Sequence, residues 1–78
     1  MLYSIHLLRH LRLTIGRNMT LMRQRQHKAL ADIAAEANVS PMLWAAYERG
    51  QNEIDLNTLF RIGCALDVTV QDLMVEQR

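Results

Sequence analysis

The chain has 78 residues, of which half are apolar, four are aromatic, three are Gly and one is Pro. This length has room for one small domain and is short for an enzyme. So few turn-forming residues argue against an all-β fold and favour short helices. The net charge is only +1, but residues 1–31 carry six basic residues and no acid, whereas residues 32–78 carry three basic and eight acidic residues. We therefore expect a basic surface at one end.

The single cysteine, Cys64, cannot form a disulfide within the chain, so packing or a partner chain must hold the core. No apolar run approaches the roughly 18 residues of a membrane span, and His and Arg residues interrupt any signal-peptide core near the start. We expect a cytoplasmic protein with no membrane partner.

Nucleophile–base pairs, paired carboxylates and Gly-rich phosphate loops are missing, so we expect no catalysis, cofactor or metal site. Cys64 is predicted to lie in the core.

The first 15 residues alternate in hydrophobicity. Six of the seven odd positions from 3 to 15 are apolar, against two of the seven even positions from 2 to 14, which favours a strand. A solitary strand is unstable, so its backbone would pair with the same segment of a second chain. We predict an N-terminal β-arm over residues 1–15 that joins a homodimer, with Gly16 as a hinge. A frayed or helical terminus is the alternative. The dimerisation residues would be Tyr3, Ile5, Leu7, Leu11 and Leu13.

Apolar spacing and end signals predict five short helices in residues 16–78. Ile15, Met19 and Met22 predict a first helix through about Gln26. A second helix covers 30–37 and ends at Asn38, which tolerates a left-handed backbone. A third runs from Pro41 to Arg49, with Ser40 as its N-cap and Gly50 after its end. Asp55 caps a fourth over 56–66, whose buried side would carry Leu56, Leu59, Phe60, Gly63 and Leu66. Thr69 and Asp72 form the capping box of the last, and Asp67 ends the fourth.

The order of these elements resembles the phage-repressor-like helix-turn-helix family, of the Cro and repressor type. The resemblance covers residues 15–74 without a gap. It is carried by the segments Ile15-Gly16-Arg17, Met22-Arg23, Ile33-Ala34, Val39-Ser40, Tyr47-Glu48-Arg49-Gly50, Leu59, Ile62, Ala65-Leu66-Asp67-Val68 and Asp72-Leu73. It implies an all-α, compact five-helix bundle that binds double-stranded DNA, usually as a homodimeric transcription regulator, with the helix from Pro41 to Arg49 in the major groove.

The resemblance also implies roles for individual residues. Arg23 would form a structural ion pair with Glu48. Lys28 and the first turn at Leu30 would face a phosphate, and the DNA backbone would be held by Ser40, Arg49, Gln51 and Asn52. The positions that usually read bases hold Pro41, Met42, Leu43, Ala45 and Ala46.

These base-reading positions lack the polar side chains that make paired hydrogen bonds to guanine or adenine. Apolar contact with thymine methyl groups and selection by DNA shape are the remaining means of reading. An exposed face of Met, Leu and Ala is also typical of a protein-binding surface. The alternative function is therefore a degenerate helix-turn-helix module, antitoxin-like or an adaptor, that binds a protein partner through this helix. Trp44 is expected to anchor the helix in the core.

Overall fold

The computed structural model describes residues 2–77, and the side chains of residues 5–77. Its helices are α1 (Leu2–Arg25), α2 (Leu30–Glu36), α3 (Pro41–Glu48), α4 (Leu56–Leu66) and α5 (Val70–Met74). The described residues contain no strand. The predicted all-helical class and the number of helices are confirmed, and α2 to α5 begin and end within a residue or two of their predicted bounds.

One hydrophobic core joins the five helices. The C-terminal half of α1 packs against α3 and α5, while α2 packs against α3 and α4. Because each helix buries only one stripe, the core consists of residues spaced three or four apart along each of them. Its largest fully buried apolar side chains are Met19, Ile33, Trp44, Ile62, Leu66 and Leu73.

Capping side chains fix the starts of three helices. The side chains of Ser40, Asp55 and Thr69 each accept a hydrogen bond from the backbone N–H three residues later. At the last of these, the Asp72 carboxylate accepts from the Thr69 N–H in return, which completes a capping box. These contacts satisfy donors that a helix start otherwise leaves free, so they set where α3, α4 and α5 begin.

Left-handed residues end the helices. Asn38 (φ 57°), Gly50 (φ 70°) and Asp67 (φ 59°) follow α2, α3 and α4, as the sequence predicts. His27 adopts the same conformation (φ 55°) after α1. Asn and Asp visit this region more readily than most side chains, and Gly visits it freely, so the chain reverses at these points at low cost.

The predicted N-terminal β-arm is wrong, because residues 2–14 form the first half of α1. Leu7, Leu11 and Ile15 satisfy a period of two, but they are also spaced by four, so they continue the stripe that is buried at Met19 and Met22. A helix pairs its backbone groups internally, whereas a strand needs a neighbouring strand. The five dimerisation residues consequently do not share one helix face. Ile5, Leu7 and Leu13 are exposed and Leu11 packs against the core; the side chain of Tyr3 lies outside the described residues.

Gly16 is not a hinge but the point where α1 and α3 touch. A Cβ added at Gly16 would lie 2.5 Å from the carbonyl oxygens of both Tyr47 and Glu48. Only a residue without a side chain lets the two backbones come this close. Gly16 thus sets the distance between α1 and the C-terminal end of α3.

The outer face of α4 also differs from the prediction. Leu59, Gly63 and Leu66 are buried as expected, but Leu56 and Phe60 are 74% and 62% exposed. Cys64, predicted to lie in the core, is exposed as well. Residues 56, 60 and 64 are spaced four apart, so they line a stripe on the side of α4 that faces away from the bundle.

Candidate nucleic-acid interface

The connection between α2 and α3 is the four-residue segment 37–40. Ala37 and Val39 are buried in it, so its apolar side chains tie the turn to the core. Between them Asn38 takes the left-handed conformation, and its N–H and that of Val39 donate to carbonyls of α2. The turn is therefore fixed on both sides, and α3 leaves it in a single direction.

The inner face of α3 is anchored by two aromatic side chains. Trp44 is fully buried and Tyr47 is 5% exposed, which agrees with the predicted role of Trp44. The indole N–H of Trp44 donates to Glu48 Oε2 at 2.7 Å, one helical turn further on. A buried tryptophan needs a partner for this donor, and the spacing of four residues on one helix supplies it.

The structure brings Arg23 of α1 and Glu48 of α3 together. Arg23 Nε donates to Glu48 Oε2 at 2.7 Å, and Arg23 Nη2 donates to Oε1 at 3.1 Å, so the contact is bidentate. The remaining terminal nitrogen, Nη1, donates to the Lys28 carbonyl at 3.2 Å. Arg23 thus connects the end of α1, the loop before α2 and the end of α3, and such bidentate pairs fix geometry as well as energy.

The Arg23–Glu48 pair is largely screened from solvent, with side chains 17% and 10% exposed. Burial by itself would raise the pKa of Glu48, but the hydrogen bonds from Arg23 and Trp44 and the Arg23 charge hold that pKa below its ordinary value. The hydrogen bonds that Arg23 donates to Glu48 raise the pKa of Arg23 in turn. Both groups are therefore ionised at neutral pH, and the contact is a full ion pair.

The outer face of α3 is apolar and accessible. Met42 is 83% exposed, and Pro41 is exposed beside it. Leu43, Ala45 and Ala46 are half-buried. A shallow concavity of about 410 Å³ lies on this face, between Ser40 at its start and Asn52 in the loop that follows α3; it is lined by Ser40, Met42, Leu43, Ala46 and Asn52.

Polar side chains lie at the ends of this face. Arg49 Nε donates to Gln51 Oε1 at 3.2 Å, and the two terminal nitrogens of Arg49 make no hydrogen bond within residues 5–77. Asn52 and Gln51 are exposed. Lys28 lies 3.3 Å from Glu36 Oε2, which offsets its charge, and Leu30 packs against the core. The residues predicted for DNA contact therefore cluster around α3, except Lys28 and Leu30 at the start of α2.

The comparisons with known proteins agree with this geometry. The sequence model of a helix-turn-helix family matches residues 21–73, more than half of the chain. The chain belongs to this phage-repressor-like helix-turn-helix family. No curated protein sequence matches it.

Three solved structures are similar to it in fold. The clp gene regulator ClgR from C. glutamicum has 28% identity and a TM-score of 0.76, over 81% of this chain and 82% of that one. The restriction-modification controller protein C.AhdI from Aeromonas hydrophila has 19% identity and a TM-score of 0.76, covering 80% and 94%. A hypothetical transcription factor, NHTF from Neisseria, has 24% identity and a TM-score of 0.80, covering 85% and 76%.

The helix-turn-helix match begins at residue 21, so most of α1 precedes it. Gly16 is the residue of this part whose importance the sequence did not reveal, because a glycine between two apolar stretches is equally typical of a hinge.

Within residues 2–77 no helix is long and apolar enough to cross a membrane. The same part of the chain holds no group of three His, Cys, Asp or Glu residues that could bind a metal.

Proposed function

We propose that this chain is a sequence-specific transcription regulator that binds double-stranded DNA with α3 in the major groove. The observation that carries the proposal is the two-sided character of α3 in a helix-turn-helix protein. Its inner face is anchored by Trp44 and by the Glu48 ion pair, while its outer face exposes Pro41 and Met42 and leaves Ala45 and Ala46 half-exposed. A recognition helix needs this rigid mounting, because base edges are read only at fixed distances. ClgR, named as a gene regulator, supports the same role.

The phosphate contacts would come from the polar residues around the apolar face. Arg49 is the strongest candidate, because its terminal nitrogens are free among the described residues and it lies at the end of α3. Ser40, Gln51 and Asn52 would add neutral contacts at the two ends of the helix. Lys28 would contribute less, since Glu36 already neutralises it. The logarithm of the binding constant should fall linearly with the logarithm of the salt concentration, with a slope of about −0.9 for each phosphate neutralised. Because the site has few cations, few phosphates would contribute to this slope.

The regulator would act as a homodimer through the N-terminal half of α1. The apolar stripe that is buried at Ile15 continues outward through Leu11 to Leu8 and Ile5, which are 52% and 54% exposed. A cavity of about 270 Å³ opens beside it, lined by Leu8, Leu11 and Ile15 with Arg12, Glu53 and Ile54. The buried Arg12 Nε has no hydrogen-bond partner within residues 5–77. A second chain packed here would cover the stripe and bring acceptors close to that nitrogen.

Sedimentation velocity tests this interface on the full chain. The Ile5→Glu/Leu8→Glu variant should sediment as a monomer at concentrations where the wild type is a dimer, because the interface would lose two apolar side chains and would have to dehydrate two carboxylates. His6→Glu adds a carboxylate on an exposed polar position of the same turn, leaves the His10–Glu76 contact intact, and should stay dimeric. If the Ile5/Leu8 variant dimerises as tightly as this control, the interface lies elsewhere.

Selection of bound duplexes from a random-sequence DNA pool at near-physiological salt tests the DNA-binding function. We expect an inverted repeat whose halves are about 34 Å apart, because a two-fold dimer presents two recognition helices at one turn of DNA. Retention that is abolished by modest salt and yields no consensus would contradict sequence-specific binding.

A second candidate function is favoured by the exposure of Met42 at 83%. A flexible, apolar side chain that is exposed in the first turn of a helix is typical of surfaces that bind protein. On this alternative the fold has lost DNA reading, and α3 binds a partner protein, as an adaptor or antitoxin does. Failure of the random pool to yield a consensus would favour it.

A further inference from the structure

The outer face of α3 presents carbon rather than hydrogen-bonding groups. Pro41 has no N–H, and the next outward side chains are those of Met42, Ala45 and Ala46, which carry no strong donor or acceptor. The concavity beside Met42 has the Leu43 and Ala46 side chains in its lining. Binding that buries an apolar group against such a surface is favourable, whereas the surface has no groups that could form hydrogen bonds with a base edge.

The polar atoms that border the face are partly occupied within the chain. Ser40 Oγ accepts the Leu43 N–H at 3.1 Å as the cap of α3. Gln51 Oε1 accepts from Arg49 Nε. Asn52 is the polar side chain left at the edge of the concavity. The middle of α3 therefore cannot form the paired hydrogen bonds that identify guanine or adenine.

The major groove offers one kind of apolar group, the C5-methyl of thymine. We propose that α3 recognises its site through thymine C5-methyl groups that pack against Met42 and into the concavity next to it. This inference rests on the proposed function. DNA is the occupant favoured over a protein because the apolar face is short and is closed at its C-terminal end by Arg49, whose free terminal nitrogens suit a polyanion. A protein partner is an outcome of the test.

The test uses the duplex recovered from the random pool, with single thymines replaced by 2′-deoxyuridine. Uracil keeps the hydrogen-bonding edges of thymine and lacks only the methyl group. At the positions that α3 faces, each replacement should weaken binding about fourfold, which corresponds to about 0.8 kcal/mol for one methyl-sized group buried. Replacements elsewhere should leave affinity unchanged. Fluorescence anisotropy on the full-length protein measures these ratios.

Protein variants identify the side chain that makes the contact. Met42→Ala should remove the thymine-to-uracil difference at one position of each half-site, and the exposure of Met42 means that the fold is retained. Arg49→Ala is the matched control, because Arg49 is exposed and does not line the concavity. It should weaken binding to the thymine and uracil duplexes by the same factor, so that their ratio stays about fourfold. Met42→Ala in the protein and the thymine-to-uracil replacement in the DNA together form a double-mutant cycle, which measures the interaction between the Met42 side chain and the thymine methyl group.

Two further duplexes test whether the methyl group alone, rather than the whole thymine base, is recognised. A cytosine at the α3-facing position should bind weakly, and 5-methylcytosine there should recover about fourfold if the methyl group itself is what α3 senses. A clear consensus whose uracil forms bind as tightly as the thymine forms would overturn methyl recognition and leave the proposed function standing. The absence of any consensus from the thymine pool would overturn both and favour a protein partner.

Discussion

Replacement of Gly16 by Ala tests the packing of α1 on α3, because helix propensity and tertiary packing predict opposite signs. In the interior of a helix, Ala is more favourable than Gly by about 1 kcal/mol. At Gly16, however, the new Cβ would lie 2.5 Å from the carbonyl oxygens of both Tyr47 and Glu48. Backbone atoms cannot rotate away as a side chain can, so α1 and α3 must separate.

The size of the effect follows from these two contributions. Overpacking a close contact costs about 1–3 kcal/mol, and carbonyl oxygens on both sides of the Cβ place this site at the upper end of that range. After the gain in propensity, we expect Gly16→Ala to lower the free energy of unfolding by about 1–2 kcal/mol. For a domain of this size that lowers Tm by roughly 5–15 °C. Urea unfolding, followed by Trp44 fluorescence at fixed protein concentration, measures it.

The neighbouring exposed position supplies the control. Arg17 lies in the same turn and is exposed, so the difference between Arg17→Ala and Arg17→Gly reports the propensity of this turn without a clash. Arg17→Ala should be about 1 kcal/mol more stable than Arg17→Gly. If Gly16→Ala stabilises the protein by the same amount, α1 and α3 are not in contact at Gly16, and the account of how α3 is positioned fails.

Two further predictions concern the ion pair and the thiol. Glu48→Gln should cost about 1.5–3 kcal/mol at pH 7. Folding lowers the pKa of Glu48, so the stability that the carboxylate contributes is present above the ordinary pKa of about 4.5 and is lost as the pH falls through the folded value. Urea unfolding from pH 7 to pH 3 should therefore show that the free energies of unfolding of wild type and Glu48→Gln converge in acid. A constant difference across this range would contradict the ion pair. Cys64 is exposed, so a thiol reagent should modify it in the native protein, whereas reaction only in urea would place it in the core.

Short-range signals predicted most of the fold correctly. Ser40, Asp55 and Thr69 cap α3, α4 and α5 through bonds that span three residues, and Asn38, Gly50 and Asp67 end α2, α3 and α4 through their own backbone conformation. Such contacts are complete within one turn of the chain, so the sequence carries them fully.

Features that depend on a distant neighbour were predicted less well. Leu7 and Leu11 fit both a strand and a helix, and the choice between them depends on whether a partner strand exists. Leu56 and Phe60 look like core residues on a helix read alone, but only one side of α4 meets the bundle. The meaning of Gly16 depends on the Tyr47 and Glu48 carbonyls, some 30 residues away in the chain. In each case the deciding atom belongs to another element.

The apolar face of α3 was readable from the sequence because its residues are contiguous. Its concavity was not, since Asn52 completes it from the following loop. The contact of Arg23 with Glu48 was predicted from the resemblance to the family. The additional hydrogen bond from Trp44 to Glu48 is visible only in the structure.

Whether the outer face of α3 contacts DNA bases can be decided by comparing the consensus sites of two proteins. Wild type and Met42→Arg would each be used to select duplexes from the same random pool. We expect Arg at this exposed position to change one base pair of each half-site toward guanine, which arginine binds through two hydrogen bonds, and to leave the rest of the inverted repeat intact. Identical consensus sites, or none for either protein, would contradict this expectation.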